Sequence, residues 1–279
     1  MVFPTPAQII EQVWKKRFAT TIDFSAFFQH FPMEKNVAVF FGVLKQGRAF
    51  VPTTIPTGAS HPPLLAQLLV ETICDAVRTS CQVEMDCWID NVRILADEKE
   101  DVRRATKRIF QLCRELGITI NESEDEASTP KQQYTYLGIA FDHSRKTVDI
   151  TEKARTKIAA AAKVLEEESA STEEWVSLFS RCVWTSTILN IDRSEKYYVY
   201  KFCRRKLNGD NCETVKLWPS IRDIWKNWVS EVVNSFPRVV APRLPKYTVY
   251  TDASLSGFGG VIFGEGGDTV IAGAWSMEE

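Results

Sequence analysis

The chain has 279 residues, of which 44% are hydrophobic and 25% are charged, with 13 glycines and 12 prolines. This composition excludes a collagen-like, low-complexity or wholly disordered chain, and the length suggests one large domain or one domain and a smaller piece. With 34 basic and 36 acidic residues the net charge is -2, so a site for a polyanion must be a local patch.

The cysteines and the apolar runs indicate a cellular compartment. The seven cysteines form no C-x-x-C pair and lie at no metal-site spacing from the three histidines, which predicts reduced thiols. The N-terminal region has no signal-like apolar stretch, and no run reaches the roughly 18 apolar residues of a membrane span. We therefore expect an intracellular protein, nuclear or cytoplasmic, with no signal peptide, transmembrane segment or membrane partner.

The N-terminal part of the chain alternates between helical and strand patterns. Thr5 followed by Pro6 is typical of a helix start, and aromatic clustering suggests a second helix after Asp23. The four residues KQGR join two β-rich runs and indicate a hairpin. The predicted elements are a helix over 5–17, a strand over 19–23, a helix over 24–31, and strands over 37–44 and 49–55.

The next segment centres on a second predicted hairpin. A Gly- and Pro-punctuated loop over 56–63 opens a helix that is apolar almost all round, which predicts a buried helix. Alternation over 81–97 predicts a hairpin with Asp90 and Asn91 at its tip, since both residue types tolerate turn dihedrals. A helix over 100–117 should end at Gly117.

After residue 130 the pattern changes from strands to helices. The predicted elements are strands within 134–142 and 146–150, four helices at 151–168, 172–189, 194–208 and 214–234, a proline-rich linker at 235–246, and a strand pair within 247–263. Trp184, Trp218, Trp225 and Trp228 are expected in the core.

Two aspartates occupy positions where chemistry could occur. Asp23 ends a strand, and Asp90 lies at a hairpin tip, so their carboxylates converge if the two strands are neighbours. Mg²⁺ takes oxygen ligands and usually binds one or two carboxylates together with substrate phosphates, and a pair of ions can clamp the attacking and leaving oxygens of a displacement. The alternative for each residue is structural: Asp23 as a helix cap and Asp90 as a turn residue.

Five segments between residues 19 and 142 together resemble the ordered motifs of reverse transcriptases. They are TIDFSAFFQHFP (21–32), IPTGASHPPLLAQ (55–67), CWIDNVRIL (87–95), LCRELGITIN (112–121) and YTYLGIAFD (134–142). A later segment, VYTDASLSGFGGVIF (249–263), resembles the first hairpin of a retroelement ribonuclease H. Its Thr-Asp-Ala-Ser form and the Gly-x-Trp-Ser at 273–276 resemble DIRS-like elements, including the VIPER type.

The resemblance implies a fold and a domain order. The class is α+β, with a right-hand polymerase palm built on an antiparallel sheet with helices, then a helical thumb, then an incomplete ribonuclease H-like hairpin unit. The implied boundaries are 1–150 for the palm with residual fingers, 151–234 for the thumb or connection, 235–246 for the linker, and 247–279 for the truncated ribonuclease H-like segment.

The resemblance also implies the site residues of an RNA-directed DNA polymerase. Asp23, Asp90 and Asn91 match the catalytic positions, and Asp23 and Asp90 match the ligands of two Mg²⁺ ions. The implied substrates are a dNTP and an RNA or DNA template-primer. The remaining matches are Phe28, Thr57, Gly58 and Gln67 for the nucleotide, Leu137 and Gly138 for the primer grip, and Asp252 for a vestigial ribonuclease H site. Phe28 has a structural alternative as a core aromatic.

The sequence also departs from the family pattern. Asn91 replaces the usual second aspartate and Trp88 the usual tyrosine, while acidic residues follow Asn121 where many relatives carry a lysine. Only 22 residues precede Asp23, so most of the fingers strands are not expected. These departures support an alternative: a non-catalytic nucleic-acid-binding or protein-interaction scaffold derived from a reverse transcriptase. The unfinished C-terminal sheet could then be covered by a partner chain.

Residues 193–206 combine six basic side chains with interleaved aromatics and one glutamate. Basic groups neutralise phosphates and aromatic rings stack on bases, so this segment is a candidate nucleic-acid contact, with Lys201, Arg204, Arg205 and Lys206 as its charged residues. The alternative is an amphipathic helix whose basic face is simply solvated.

Overall fold

The computed structural model describes residues 3–56, 62–207, 214–242, 247–264 and 267–275. The α-helices in these ranges are α1 Pro6–Lys15, α2 Lys35–Ala38, α3 Pro62–Cys81, α4 Lys99–Leu116, α5 Glu124–Ala127, α6 Glu152–Ala161, α7 Thr172–Leu189, α8 Tyr197–Lys206 and α9 Pro219–Val233. Short 3₁₀ turns cover Phe27–His30, Val39–Phe41, Ala162–Glu166 and Ser194–Lys196.

All described strand pairs are antiparallel. The strands are β1 Phe18–Asp23, β2 Val43–Lys45, β3 Arg48–Phe50, β4 Glu84–Trp88, β5 Asn91–Ala96, β6 Gln133–Tyr136, β7 Ile139–Asp142, β8 Thr147–Ile150, β9 Ser169–Ser171, β10 Thr214–Lys216, β11 Arg238–Val239, β12 Tyr247–Ala253, β13 Gly257–Gly264 and β14 Thr269–Ala274. The molecule is therefore α+β with antiparallel sheets, which confirms the predicted class.

The first sheet, in the order β1-β5-β4, is the layer that positions the candidate site. Inward-facing residues of its three strands pack with apolar residues of α3 and α4 into one continuous core. Helix α4 presents Val102, Ala105, Ile109 and Cys113 to this core at helical spacing, and Gly117 ends it with a φ of 71°. The register of the first sheet is thus fixed by one buried face.

The second sheet, in the order β11-β8-β7-β6, belongs to a separate core. Its buried residues pack with α1 and with the helices α6 to α9, among which Trp175, Trp225 and Trp228 are fully buried. The tryptophan prediction is confirmed for Trp225 and Trp228. It is wrong for Trp184, which is exposed because it lies on the outer side of α7.

A buried arginine connects the two sheets. Arg93 in β5 has no exposed surface, forms an ion pair with Asp86 in β4, and donates to the Ile9 carbonyl at 2.7 Å and the Tyr134 hydroxyl at 3.2 Å. Its guanidinium also lies 5.0 Å from the Tyr136 ring centroid. Because an unpaired buried charge is very costly, this full set of partners is what permits the arginine there.

His143 continues this buried network. Its Nε2 and the Tyr134 hydroxyl are 2.9 Å apart, and its Nδ1 lies 2.7 Å from the Lys16 carbonyl oxygen. Burial, with the positive charge of Arg93 as a further cause, lowers the pKa of His143 to about 4. The imidazole is therefore neutral at physiological pH and links α1 to the second sheet.

The C-terminal sheet, in the order β12-β13-β14, forms a compact unit of its own, Ala241–Glu279, apart from Met1–Val240. Every residue of β12 and β14 is exposed, and in β13 only Gly260 is buried. The predicted strand pair is present, and a third strand that the sequence analysis did not anticipate completes the sheet.

Several local predictions were wrong. Residues 37–41 are helical, so the expected strand 37–44 is reduced to β2, although the hairpin with β3 forms. The helix expected over 24–31 is a single 3₁₀ turn. Helix α3 exposes Leu64, Leu65 and Leu68, so it is buried on one face only.

Two segments expected to lack strands contain them. Residues 214–216 pair with β9, and residues 238–239, within the proline-rich segment, pair with β8. Both strands form because a strand distant in sequence supplies their backbone hydrogen bonds. Such pairing leaves no local sequence pattern from which the strands could be predicted.

Six cysteines lie in the described part of the chain, at 74, 81, 87, 113, 182 and 203, and all six are free and buried. Among the described helices, none combines the length and apolarity needed to cross a lipid bilayer.

Candidate active site

Strand pairing brings Asp23 next to the tip of the second hairpin. Asp23 is the last residue of β1 and pairs with Asn91, the first residue of β5. Immediately beyond this pair, the Phe24 amide donates to the Asp90 carbonyl at 2.9 Å. Asp23 at the end of β1 and Asp90 in the turn between β4 and β5 thus lie at the same end of the first sheet.

The turn that carries Asp90 has an unusual backbone. The tip consists of Ile89 and Asp90, so the prediction of Asp90 and Asn91 at the tip was wrong by one position. Ile89 has a φ of 56°, a left-handed conformation that is rarely adopted by a β-branched residue. Such a conformation persists only where surrounding contacts enforce it.

Gln67 in α3 makes contacts that hold the Ile89 turn in place. Its Oε1 accepts from the Ile89 amide at 2.7 Å, and its Nε2 donates to the Cys87 carbonyl at 3.2 Å. The side chain is buried, with only 1% of the residue exposed. The resemblance implied that Gln67 lines the nucleotide pocket; in the structure both ends of its amide bind the backbone of the hairpin.

Each of the two carboxylates accepts a hydrogen bond from a neighbouring amide side chain. Asn91 Nδ2 donates to Asp90 Oδ1 at 2.9 Å, and Asn121 Nδ2 donates to Asp23 Oδ2 at 2.5 Å. Glu122 Oε2 accepts from the Asp23 backbone amide at 3.0 Å. The sequence marks Asn121 as the end of the fourth motif and Glu122 as the start of an acidic run, but it does not reveal their contacts with Asp23.

The electrostatics of the site are negative. Burial raises the pKa of Asp23 above its usual value and the charge of Asp90 raises it further, while the hydrogen bond from Asn121 opposes both. The two carboxylates are therefore close enough for their charges to repel each other.

These donors fit a divalent cation that also binds a substrate. In the described part of the chain, no group of three or more His, Cys, Asp or Glu side chains is arranged to hold a metal ion. Asp23 and Asp90 are thus a two-carboxylate set of hard oxygen ligands. Mg²⁺ commonly takes one or two such carboxylates and completes its shell with water and phosphate oxygens.

Among the residues that the resemblance implies for the nucleotide and the primer end, Phe28, Leu137 and Gly138 also lie in the described part of the chain. Phe28 is half-buried against the core of the first sheet, a position compatible with both of its interpretations. Leu137 and Gly138 form the turn between β6 and β7, with φ values of 50° and 77°. Thr57 and Gly58 lie outside the described residues.

Helix α8 carries the basic segment on its exposed side. Val199, Phe202 and Cys203 face the core, whereas Arg204, Arg205 and Lys206 are exposed at the end of the helix. Lys201 Nζ lies about 6 Å from the ring centroids of the exposed Tyr197 and Tyr198. Lys196 is buried and paired with Glu231 at 3.0 Å, so this lysine does not contribute to the exposed basic face.

Asp252 lies in β12, opposite Gly259. Its Oδ1 accepts a hydrogen bond from the neighbouring Ala253 amide at 2.9 Å, and the residue is exposed. It belongs to no metal-binding group among the described residues.

Comparison with known proteins agrees with this geometry. The profile of the family described as reverse transcriptase (RNA-dependent DNA polymerase) matches residues 1–141. Among solved structures, a foamy viral protease-reverse transcriptase with double-stranded DNA aligns at 15% identity and a TM-score of 0.64 over 100% of this chain and 47% of that one. The foamy viral enzyme with an RNA/DNA hybrid aligns at 14% identity and a TM-score of 0.61 over 96% and 35%.

These structural similarities show the fold, and the chain spans about half or less of the two foamy viral chains. The comparison with curated proteins gave no match.

Proposed function

The chain belongs to the reverse transcriptase family, and from that premise we propose that Asp23 and Asp90 form the site of templated DNA synthesis. In this reaction the 3′-hydroxyl of a primer attacks the α-phosphate of a dNTP, a new phosphodiester bond forms, and pyrophosphate leaves. The observation that supports this proposal is the pairing of the Asp23 strand end with the hairpin that carries Asp90.

The family generally uses divalent metal ions, and we propose two Mg²⁺ ions for this chain. Bound ions would stabilise negative charge on the attacking and leaving oxygens. Asp23 and Asp90 would supply the protein oxygens, and their mutual repulsion favours a cation between them. Gln67 binds the backbone of Cys87 and of the left-handed residue Ile89, next to Asp90. Its role in nucleotide binding would therefore be exerted through the hairpin.

The resemblance guides the remaining roles. Phe28 would lie under the sugar and select a dNTP, Thr57 and Gly58 would line the nucleotide pocket, and Leu137 and Gly138 would support the primer end. The corresponding regions would be the palm with residual fingers at 1–150, the thumb at 151–234, the linker at 235–246 and a ribonuclease H-like segment at 247–279. We also propose that the chain comes from a retrotransposon and acts inside the cell.

Primer extension on RNA and DNA templates tests the function directly. Asp23→Asn and Asp90→Asn should each abolish extension, while Asn91→Asp should preserve or raise it by restoring a charge at the site. Phe28→Ala should admit ribonucleotides. Full extension by Asp90→Asn would refute the metal assignment, and unchanged sugar selection would make Phe28 a core aromatic.

The nucleic-acid contact has a separate test that needs no catalysis. Lys201, Arg204, Arg205 and Lys206 are proposed to bind phosphates of the template-primer. Replacing Arg204, Arg205 and Lys206 together should flatten the slope of log K against log salt by up to about 2.7 units on a duplex. An unchanged slope would leave α8 with a solvated basic face.

A second candidate function is a non-catalytic nucleic-acid-binding scaffold. The observation that favours it is Asn91, whose neutral amide adds no charge to the site and whose Nδ2 donates to Asp90 Oδ1. Binding of template-primer without extension, together with no gain of activity in Asn91→Asp, would support the scaffold.

A further inference from the structure

The segment after α4 runs beside the end of β1 and holds Asp23 at three points. The Asn121 amide donates to the Asp23 carbonyl at 2.9 Å, Asn121 Nδ2 donates to Asp23 Oδ2 at 2.5 Å, and the Asp23 amide donates to Glu122. Phe24 continues the contact through a bridge to Ile120. Both the backbone and the carboxylate of Asp23 are thereby fixed by one short segment.

The side-chain bond has a defined consequence for the carboxylate. The amide of Asn121 occupies one lone pair on Oδ2, whereas this bond leaves both lone pairs of Oδ1 open to a ligand. Since the Asn121 backbone is anchored to the same residue, the amide group has little freedom to move away. A hydrogen bond to one oxygen of a metal-binding carboxylate sets the orientation of the other.

An asparagine suits this position better than a charged donor or acceptor would. An amide donates to the carboxylate without neutralising it, so the negative charge that attracts a cation is kept. An aspartate at 121 would repel Asp23, and a lysine would compete with the cation as an ion-pair partner.

We propose that Asn121 is a positioning residue that orients Asp23 so that its Oδ1 faces the incoming divalent ion. The proposal rests on the proposed function, because it presumes that Asp23 is a metal ligand. It adds a residue from outside the two-strand site, at the end of the LCRELGITIN motif (112–121), for which the resemblance implied no role at the metal site.

Direct metal binding by the full chain tests the proposal without catalysis. Mn²⁺ alone, followed by electron paramagnetic resonance, is titrated into the wild type, Asn121→Leu, Asn121→Ala and the control Asn234→Leu. Asn234 is likewise an asparagine after a helix, and its Nδ2 donates to Ser230 Oγ at 3.1 Å, far along the chain from the site. We expect roughly 10-fold weaker binding in both Asn121 variants and no change in the control.

Primer extension supplies the second readout. Loss of orientation should lower kcat and raise the Mg²⁺ concentration needed for half-maximal rate, while the KM for dNTP stays unchanged. Wild-type Mn²⁺ affinity in both Asn121 variants would overturn the proposal. Absence of Mn²⁺ binding in the wild type, or binding that survives Asp23→Asn, would instead refute the proposed metal site, so the two failures are distinguishable.

Discussion

The first sheet and the C-terminal sheet are both three-stranded and antiparallel, and each carries aspartate on its strands, but their surroundings differ. The first sheet packs against α3 and α4, and Asp23 is held by Asn121 and by the pairing with β5. In the C-terminal sheet the strands are exposed, and Asp252 accepts a hydrogen bond from the next residue. Contacts from distant segments thus fix the position of Asp23, whereas the hydrogen bond to Asp252 is local.

Substitution of Arg93 should give the largest difference in stability between the two sheets. Arg93→Met removes the partner of Asp86 and leaves a nearly buried carboxylate uncompensated, so we expect a loss of about 3–5 kcal/mol in the free energy of unfolding. Chemical denaturation measures the loss, and hydrogen exchange in β12 to β14 should stay unchanged.

Arg145→Met is the matched control for this change. Arg145 is exposed and lies 3.9 Å from Asp142, so its removal should cost less than about 1 kcal/mol. An equal loss in the two variants would show that burial of Arg93 is not what stabilises the first sheet.

His143 gives the same region a pH dependence. In the unfolded chain the imidazole takes up a proton near pH 6.5, whereas in the folded protein it does so only near pH 4, so the folded state binds fewer protons between these values. Stability present above pH 6.5 should therefore fall by up to about 3 kcal/mol as the pH drops to 4. Denaturation midpoints across this range measure the effect, and His143→Gln should remove most of the slope.

Substitution of Gln67 tests the turn that carries Asp90. Gln67→Leu leaves the Ile89 amide and the Cys87 carbonyl without their partner, so we expect a loss of about 1–3 kcal/mol and slower primer extension. The control is Gln111→Leu on the exposed side of α4, where the change should stay within about 0.5 kcal/mol. Wild-type extension by Gln67→Leu would show that the turn keeps its conformation unaided.

Asp252 should give the smallest effect. Asp252→Asn removes a charge from an exposed strand, so the free energy of unfolding should change by less than about 0.5 kcal/mol. We also expect the purified chain to leave the RNA strand of an RNA/DNA hybrid intact, because Asp252 has no companion ligands among the described residues. If the chain cleaves the RNA strand and Asp252→Asn abolishes this cleavage, the C-terminal sheet has a ribonuclease site and the prediction is wrong.

Sequence patterns predicted the elements around the site better than the contacts within it. Asp23 at a strand end and Asp90 in a hairpin followed from alternation and turn preferences, which act over a few residues. The bonds from Gln67 to the Ile89 turn and from Asn121 to Asp23 join distant segments, and no local pattern reveals them. The conformation of Ile89 was missed for the same reason, since side-chain propensity alone argues against it.

The errors in the fold have a similar cause. Residues 37–41 have β-forming side chains, yet they form short helical turns with several exposed apolar residues, so propensity did not decide their structure. Strands β10 and β11 depend on partners 45 and about 90 residues earlier in the chain, namely β9 and β8. Their sequences contain too few residues to show a period.

The Arg93 network also bears on the order in which the chain can fold during synthesis. Arg93 bonds Ile9, 84 residues earlier, and Tyr134, 41 residues later, while His143 bonds Lys16 across 127 residues. Helix α1 is therefore synthesised long before its partners, and its apolar face stays uncovered until they are made. Contacts so far apart in sequence favour slow, late assembly of α1 with its partners.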